Sequence, residues 1–259
     1  MKKTMKRLYM GLIFLFLYAP IILLIVYSFN SSKSRGQWGG FTLKWYADLF
    51  QDRQIKEAFI YTIVIAVLAT IISTIFGTIA AIGINNMRRF PRKVTLNLNN
   101  LPVLNPDIVT GVALMTLFIS VNLQLGFMSM LIAHIVFCTP FVILAVLPKL
   151  RQLNPHLAEA AMDLGAKPSY ALRKVIIPQI FPGIVSGALI AFTLSIDDFV
   201  ISFFTAGTQV TNLSILIYSM AKRGVKPSIN ALSTIMFLAV LILLLLINRK
   251  SDKGEELLL

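Results

Sequence analysis

Stretches almost free of charged residues recur along the chain at lengths near 20, and every Lys and Arg falls outside them. A hydrocarbon slab roughly 30 Å thick needs about 20 helical residues per crossing, so each stretch predicts a transmembrane helix. Residues 8–29 hold 22 uncharged positions after Lys2, Lys3, Lys6 and Arg7. A signal peptide shares that basic start, but its apolar part runs only about 7–15 residues to a small-residue cleavage site. This run is longer and ends in Tyr27-Ser28-Phe29-Asn30, which predicts an uncleaved first span. Residues 59–84, with 26 uncharged positions, predict the second. The third lies within 101–123 and carries one charge, Asp107; the fourth, 126–147, contains His134. The fifth runs over 179–204 with Asp197 and Asp198 late in it, and the sixth is the 19 uncharged residues 229–247. Strands of a membrane barrel would alternate over about ten residues instead. The pattern predicts an all-α integral membrane protein of six helices in a single transmembrane domain over residues 1–259.

Composition agrees: 57% of residues are hydrophobic, 14% are charged and mean hydropathy is +0.79. Soluble domains carry about 25% charged residues. These values exclude a soluble globular domain and a disordered chain, and a single cysteine excludes a disulfide scaffold. A net charge of +13 on a soluble protein would point to nucleic acid. Topology explains it here. With the N-terminus in the cytoplasm, 16 of the 24 Lys and Arg fall on the inner side and 8 on the outer. That bias places both termini inside, and it leaves membrane lipid as the partner of the basic residues, with no nucleic acid.

Two connecting segments are long. The outer one, 31–58, contains Trp38, Trp45 and Tyr46. These aromatics either meet a partner at the outer mouth or anchor an interfacial helix at headgroup level. The inner one, 148–178, opens with Asn154-Pro155, a capping residue followed by a proline whose missing N–H costs nothing in a first turn. Leu157, Ala160, Ala161 and Leu164 follow at i, i+3, i+4 and i+7, one stripe of a helix. Gly165 is placed to end that helix in a left-handed conformation. Pro168 then starts a second short helix through Leu172, Val175 and Ile176, before Pro178 leads into the fifth span. The result is a helix–turn–helix lying on the cytoplasmic face.

Glu159-Ala160-Ala161, three residues, Gly165, nine residues, Val175, one residue, Ile177-Pro178 resembles the EAA motif of ATP-binding-cassette (ABC) importer permeases. Val and Ile stand where that pattern has Ile and Leu, which keeps the apolar character. Pro20-Ile21-Ile22, Phe41-Thr42-Leu43-Lys44-Trp45-Tyr46, Pro106-Asp107-Ile108-Val109, Asp163-Leu164-Gly165-Ala166 and Leu194-Ser195-Ile196-Asp197-Asp198 extend the resemblance to the spermidine/putrescine permeases of that superfamily. The resemblance implies a type I importer fold in the bacterial cytoplasmic (inner) membrane, forming half of a polyamine pathway. It implies coupling helices in 148–178, with Glu159, Ala160, Ala161, Asp163 and Gly165 at the ATPase contact. It also implies a second homologous permease, two ATPase subunits that hold ATP and Mg, and an extracytoplasmic polyamine-binding protein.

The residues themselves speak to the substrate. An acid at membrane depth costs about 2.5–3.5 kcal/mol on insertion scales and is a functional candidate by default. Asp107 follows Pro102 and Pro106, which loosen the helix; Asp197 and Asp198 lie near Phe199, Phe203 and Phe204. No Lys or Arg stands in a span to neutralise them. A polycationic amine meets that need, with aromatic faces adding about 0.5–2 kcal/mol each. Neighbouring helix positions point apart, so the two adjacent acids differ in role. Asp198 is favoured for the pathway, because Leu194 one turn back gives it no polar partner, whereas Thr193 can satisfy Asp197. The bland alternatives are exposure at the outer interface for that pair and a helix-cap role for Asp107. His134 reads as a hydrogen-bonded packing residue, Cys138 as a small buried hydrophobe, and His156 has no neighbours that would complete a metal site. A phosphate-binding Gly-x-x-x-x-Gly-Lys-Ser/Thr loop and a nucleophile–base set are both missing, which predicts a transport subunit without a bound cofactor and not an enzyme. The rivals are an importer for another substrate, such as iron or a small anion, and a secondary transporter or channel working alone.

Overall fold

The computed structural model describes residues 3–32, 37–223, 227–239 and 241. Among these the chain is helical throughout, and the one β feature is an isolated bridge between Asn30 and Phe41. The helices are α1 (Lys3–Ser28), α2 (Lys44–Gln51), α3 (Arg53–Asn86), α4 (Arg89–Leu104), α5 (Asp107–Ser120) and α6 (Phe127–Gln152). They continue as α7 (Leu157–Asp163), α8 (Pro168–Ala171), a π-helical turn (Leu172–Ile176), α9 (Ile177–Asp197), α10 (Val200–Thr205), α11 (Leu213–Arg223) and α12 (Pro227–Ala239). Among the described residues four helices are long and apolar enough to cross a membrane, or five if the bent pair α4–α5 counts as one span. The first, second and fourth predicted spans correspond to α1, α3 and α6. The sixth falls partly on α12, and its end lies outside the described residues.

Two predicted spans are not continuous helices. The third, expected within 101–123, bends by 105° between α4 and α5. Pro106 is the cause: it lacks an N–H and drives the preceding residue out of the helical region, and Asn105 is extended at φ −76, ψ 145. The fifth, expected over 179–204, ends at Asp197, turns at Asp198 (φ −60, ψ 123) and restarts as α10. No Pro or Gly lies between Leu194 and Thr205, so the cause is tertiary. The second short helix predicted after Pro168 also differs, because it runs on through the π turn into α9 without a loop. Pro178 offers no N–H to its preceding turn, and the wider turn absorbs the defect through Ile177 N–H bonding Leu172 O.

The chain forms two compact units. In the larger, Glu57–Leu216, α6 is the central helix. Its Phe137, Cys138, Val142, Ile143, Val146 and Leu147 are buried with Ala81, Ile84, Phe118, Ile180 and Ala191 of its neighbours. Small residues allow the close approach expected between membrane helices. A Cβ on Gly77 of α3 would lie 2.7 Å from the Val142 side chain, and one on Gly187 of α9 would lie 3.2 Å from the Cα of the same valine. The second unit joins Met1–Lys56 to Ile217–Leu259. Its α1 leaves nearly all of its apolar surface exposed, as a lipid- or partner-facing span does.

Candidate functional site

The break between α9 and α10 is built from polar groups. The Asp198 carboxylate accepts from the backbone N–H of Ile201 at 3.2 Å and of Ser202 at 2.7 Å, so it satisfies the free donors at the start of α10. His134 reaches in from α6. Its Nδ1 lies 2.7 Å from Ser195 Oγ, its Nε2 lies 2.9 Å from Ser202 Oγ, and Asp198 Oδ2 is 3.6 Å from Nε2. Asn212 Nδ2 donates to Ser202 Oγ at 2.8 Å, while its Oδ1 accepts from Ile215 N–H at 2.9 Å and starts α11. Ser195, His134, Asp198, Ser202 and Asn212 are all buried. Partnered polar groups of this kind specify one geometry, since an unpaired one is costly in a low dielectric.

The two adjacent acids therefore divide their roles, in the opposite sense to the expectation from spacing. Asp198, expected to lack a polar partner, is buried and spends its carboxylate on the backbone of the next turn. Asp197 closes α9 with its side chain exposed. Thr193 does not satisfy it, because its hydroxyl donates to Leu189 O at 2.9 Å. Nothing in a one-dimensional pattern shows that the chain turns between two neighbouring aspartates.

Asp107 is the first residue of α5, exposed just after the 105° bend. An acid there favours the N-terminal end of the helix dipole, so the cap alternative and a role toward a cation are compatible. One turn on, a Cβ at Gly111 would lie 3.0 Å from the Phe204 ring and 3.5 Å from Ile201 Cα. The second halves of the two broken spans thus pack together, which groups α5 with α10. Beside them Phe199 and Phe203 have ring centroids 5.4 Å apart, and Phe203 meets Phe204 edge-on at 5.5 Å. Phe203 is exposed and Phe199 half-buried.

In the 148–178 loop, α7 buries none of its residues. Its end is a Schellman closure: Ala166 N–H bonds Ala161 O at 3.1 Å, Gly165 N–H bonds Met162 O at 2.8 Å, and Gly165 takes φ +88. That is the left-handed residue expected from the sequence. Glu159 stands in the first turn, exposed, with its Oε2 2.8 Å from His156 Nδ1. Ala160 and Asp163 are exposed and Ala161 half-buried. Leu164, from the apolar stripe, is 91% exposed.

The 31–58 segment departs from expectation. Trp45 is buried and donates Nε1–H to Asn30 O at 2.7 Å, and Tyr46 OH pairs with Ser28 Oγ at 2.6 Å. Both side chains tie α2 to the end of α1 and offer little surface to a partner or to headgroups. Trp38 alone of the three is exposed. Asn30 organises the segment and has no obvious signature in sequence. Its Oδ1 accepts from Gly39 N–H at 2.8 Å and Ser32 N–H at 3.1 Å, and its Nδ2 donates to Gln37 O at 2.9 Å.

The model of the binding-protein-dependent transport system inner membrane component matches residues 73–252. The chain belongs to this family. The match takes in the polar network at the α9–α10 break and the whole 148–178 loop. Among relatives, the spermidine/putrescine transport system permease protein PotC of Haemophilus influenzae is 38% identical over 251 residues, 96% of this chain and 98% of its own. The putrescine transport system permease protein PotI of Escherichia coli K12 is 39% identical over 234 residues, 88% of this chain and 83% of its own. A bacterial ABC transporter involved in the import of the acidic polysaccharide alginate aligns at a TM-score of 0.73 and 18% identity, over 96% of this chain and 95% of that one. At that identity the likeness establishes the ABC importer permease fold. Family membership makes the chain an inner membrane transport component, not an enzyme, and sets aside a secondary transporter working alone.

Sequence reasoning missed Ser202 and Asn212, while its reading of His134 as a hydrogen-bonded packing residue agrees with the buried ring and its two serine contacts. No local signal marked Ser202 and Asn212, because they join the network only after the chain turns at Asp198.

Proposed function

We propose that this permease forms half of the translocation pathway of an ATP-driven importer of polyamines, of the spermidine/putrescine class. The observation that carries this reading is the resemblance to named polyamine permeases across nearly the full chain. Exposed Asp107 and Asp197, at the breaks of two spans, suit it physically, and α10 adds the exposed ring of Phe203. Separated carboxylates can take the ammonium groups of a linear amine in turn, and no single site then needs to bind tightly enough to trap it. An anion carrier would instead place basic groups there.

In this reading the chain crosses the membrane six times with both termini cytoplasmic, and 148–178 faces the cytoplasm. Leu164 projects there unpacked beyond a rigid turn at Gly165, which suits insertion into a cleft of an ATPase subunit. Two such ATPases hold ATP and Mg, a second homologous permease completes the pathway, and an extracytoplasmic binding protein delivers the amine. Trp38 remains the candidate for contact at the outer mouth. The deciding experiment is radiolabelled spermidine uptake by the assembled complex in proteoliposomes. Unlabelled spermidine and putrescine should compete; failure of both to compete would remove polyamines as the substrate class.

A further inference from the structure

We infer that His134 is a positioning residue: by holding Ser195 of α9 and Ser202 of α10 together, it fixes the break between them and so keeps Asp197 exposed to the passing cation. The inference rests on the polyamine reading above.

Ser195 and Ser202 are seven residues apart, about 10.5 Å of rise in a continuous helix. One imidazole nevertheless contacts both hydroxyls, at 2.7 and 2.9 Å. The α9–α10 break lies between the two serines, so the ring staples its two sides. Sharp kinks ordinarily need Pro, Gly, a π turn or an inserted side chain, and this segment contains no Pro or Gly. What holds it is a set of polar contacts: the Asp198 carboxylate on the N–H groups of α10, and the ring of His134 on the serines. A neutral imidazole has one donor and one acceptor nitrogen, so one serine donates to the ring and the other accepts from it. Either tautomer keeps both bonds. His134 itself is 1% exposed and cannot meet the substrate in this conformation, so its influence passes through the backbone turn to the exposed carboxylate beside it. Without the staple α9 is free to continue through residue 198, which would carry α10 off its present course, strip its cap and place Asp197 inside a continuous helix instead of at an open helix end.

The test uses the whole complex in proteoliposomes with its binding protein and radiolabelled spermidine, reading uptake per ATP hydrolysed. His134→Phe retains a ring of similar size without polar atoms, and Ser202→Ala removes a single hydroxyl. Each should lower uptake per ATP about 5- to 10-fold, within the coupling found for groups sharing one network. His134→Gln, which keeps an amide partner for the serines, should recover at least half of the loss. In an Asp197→Asn background, His134→Phe should add nothing further, because its effect passes through Asp197. Losses that multiply in the double variant, or uptake and hydrolysis falling in parallel, would show a general structural role and overturn the inference. Should His134→Phe fail to assemble, Ser202→Ala is judged by the same criteria. Two failures are distinguishable. Wild-type transport by Asp197→Asn defeats the acidic-path reading and the positioning role with it. An impaired Asp197→Asn beside unaffected His134→Phe and Ser202→Ala defeats only the positioning role.

Discussion

Asp197 and Asp198 are chemically identical neighbours with opposite surroundings, so the same substitution at each tests a different property. At Asp198 two buried backbone donors depend on the carboxylate. Asp198→Ala leaves them unpaired, and a buried unsatisfied donor costs about 1–3 kcal/mol. Purified Asp198→Ala should therefore show a clearly lowered unfolding temperature in detergent; an unchanged one would mean that the cap is dispensable. Asp197→Asn keeps size and hydrogen bonding at an exposed position and removes only charge. It should leave that temperature unchanged while lowering polyamine uptake severalfold, and Asp107→Asn should lower uptake likewise at a stability cost of no more than about 0.3–1 kcal/mol from the α5 dipole. If both neutral variants and their combination transport at the wild-type rate, the acids are not on the path. Spacing placed three acids in apolar stretches, and it could not say which one would be consumed by the fold, because that depends on Ser202 and Ile201 presenting their N–H groups after a turn.

The helices themselves show where local chemistry suffices. The α7 terminus follows from Gly165: φ +88 suits glycine, and a Cβ there would meet nothing within 4 Å. A side chain at this position therefore costs backbone energy and causes no collision within the chain. Gly165→Asn, which tolerates left-handed φ, should keep binding-protein-stimulated ATP hydrolysis near normal, and Gly165→Val should reduce it strongly. Equal activity of the two variants would mean that the turn's conformation does not matter for coupling. Gly77 presents the reverse case, with a Cβ meeting Val142 at 2.7 Å. Gly77→Leu should separate α3 from α6 and destabilise the protein by about 1–3 kcal/mol, seen as a lowered unfolding temperature and reduced yield; normal stability would argue against that close packing. The α4–α5 bend belongs with Gly165, since Pro106 announces it. The α9–α10 break belongs with Gly77, since only the facing helix explains it.

At the scale of the molecule, exposed apolar surface is where the proposed partners can be tested. Leu164 at 91% exposure is the sharpest case outside the spans, and Leu164→Asp should sharply reduce retention of the co-expressed cognate ATPase on the purified permease. Undiminished retention would place the ATPase contact elsewhere. Sequence alone determined the membrane class, the approximate position of most of the long apolar helices, the stripe and turn of the 148–178 loop and the family resemblance, now joined by family membership over residues 73–252. These are local or periodic properties: hydrophobic length, capping chemistry, the backbone freedom of one glycine. Tertiary structure alone decided that Trp45 and Tyr46 turn inward onto Asn30 and Ser28, that the fifth span breaks without a helix breaker, and that Asp198 is spent while Asp197 is left exposed. Each of those outcomes depends on a hydrogen-bond partner distant in sequence. His134 lies 61 residues from Ser195 and 68 from Ser202, and a polar group inside a membrane protein takes its orientation from the partner that folding brings to it.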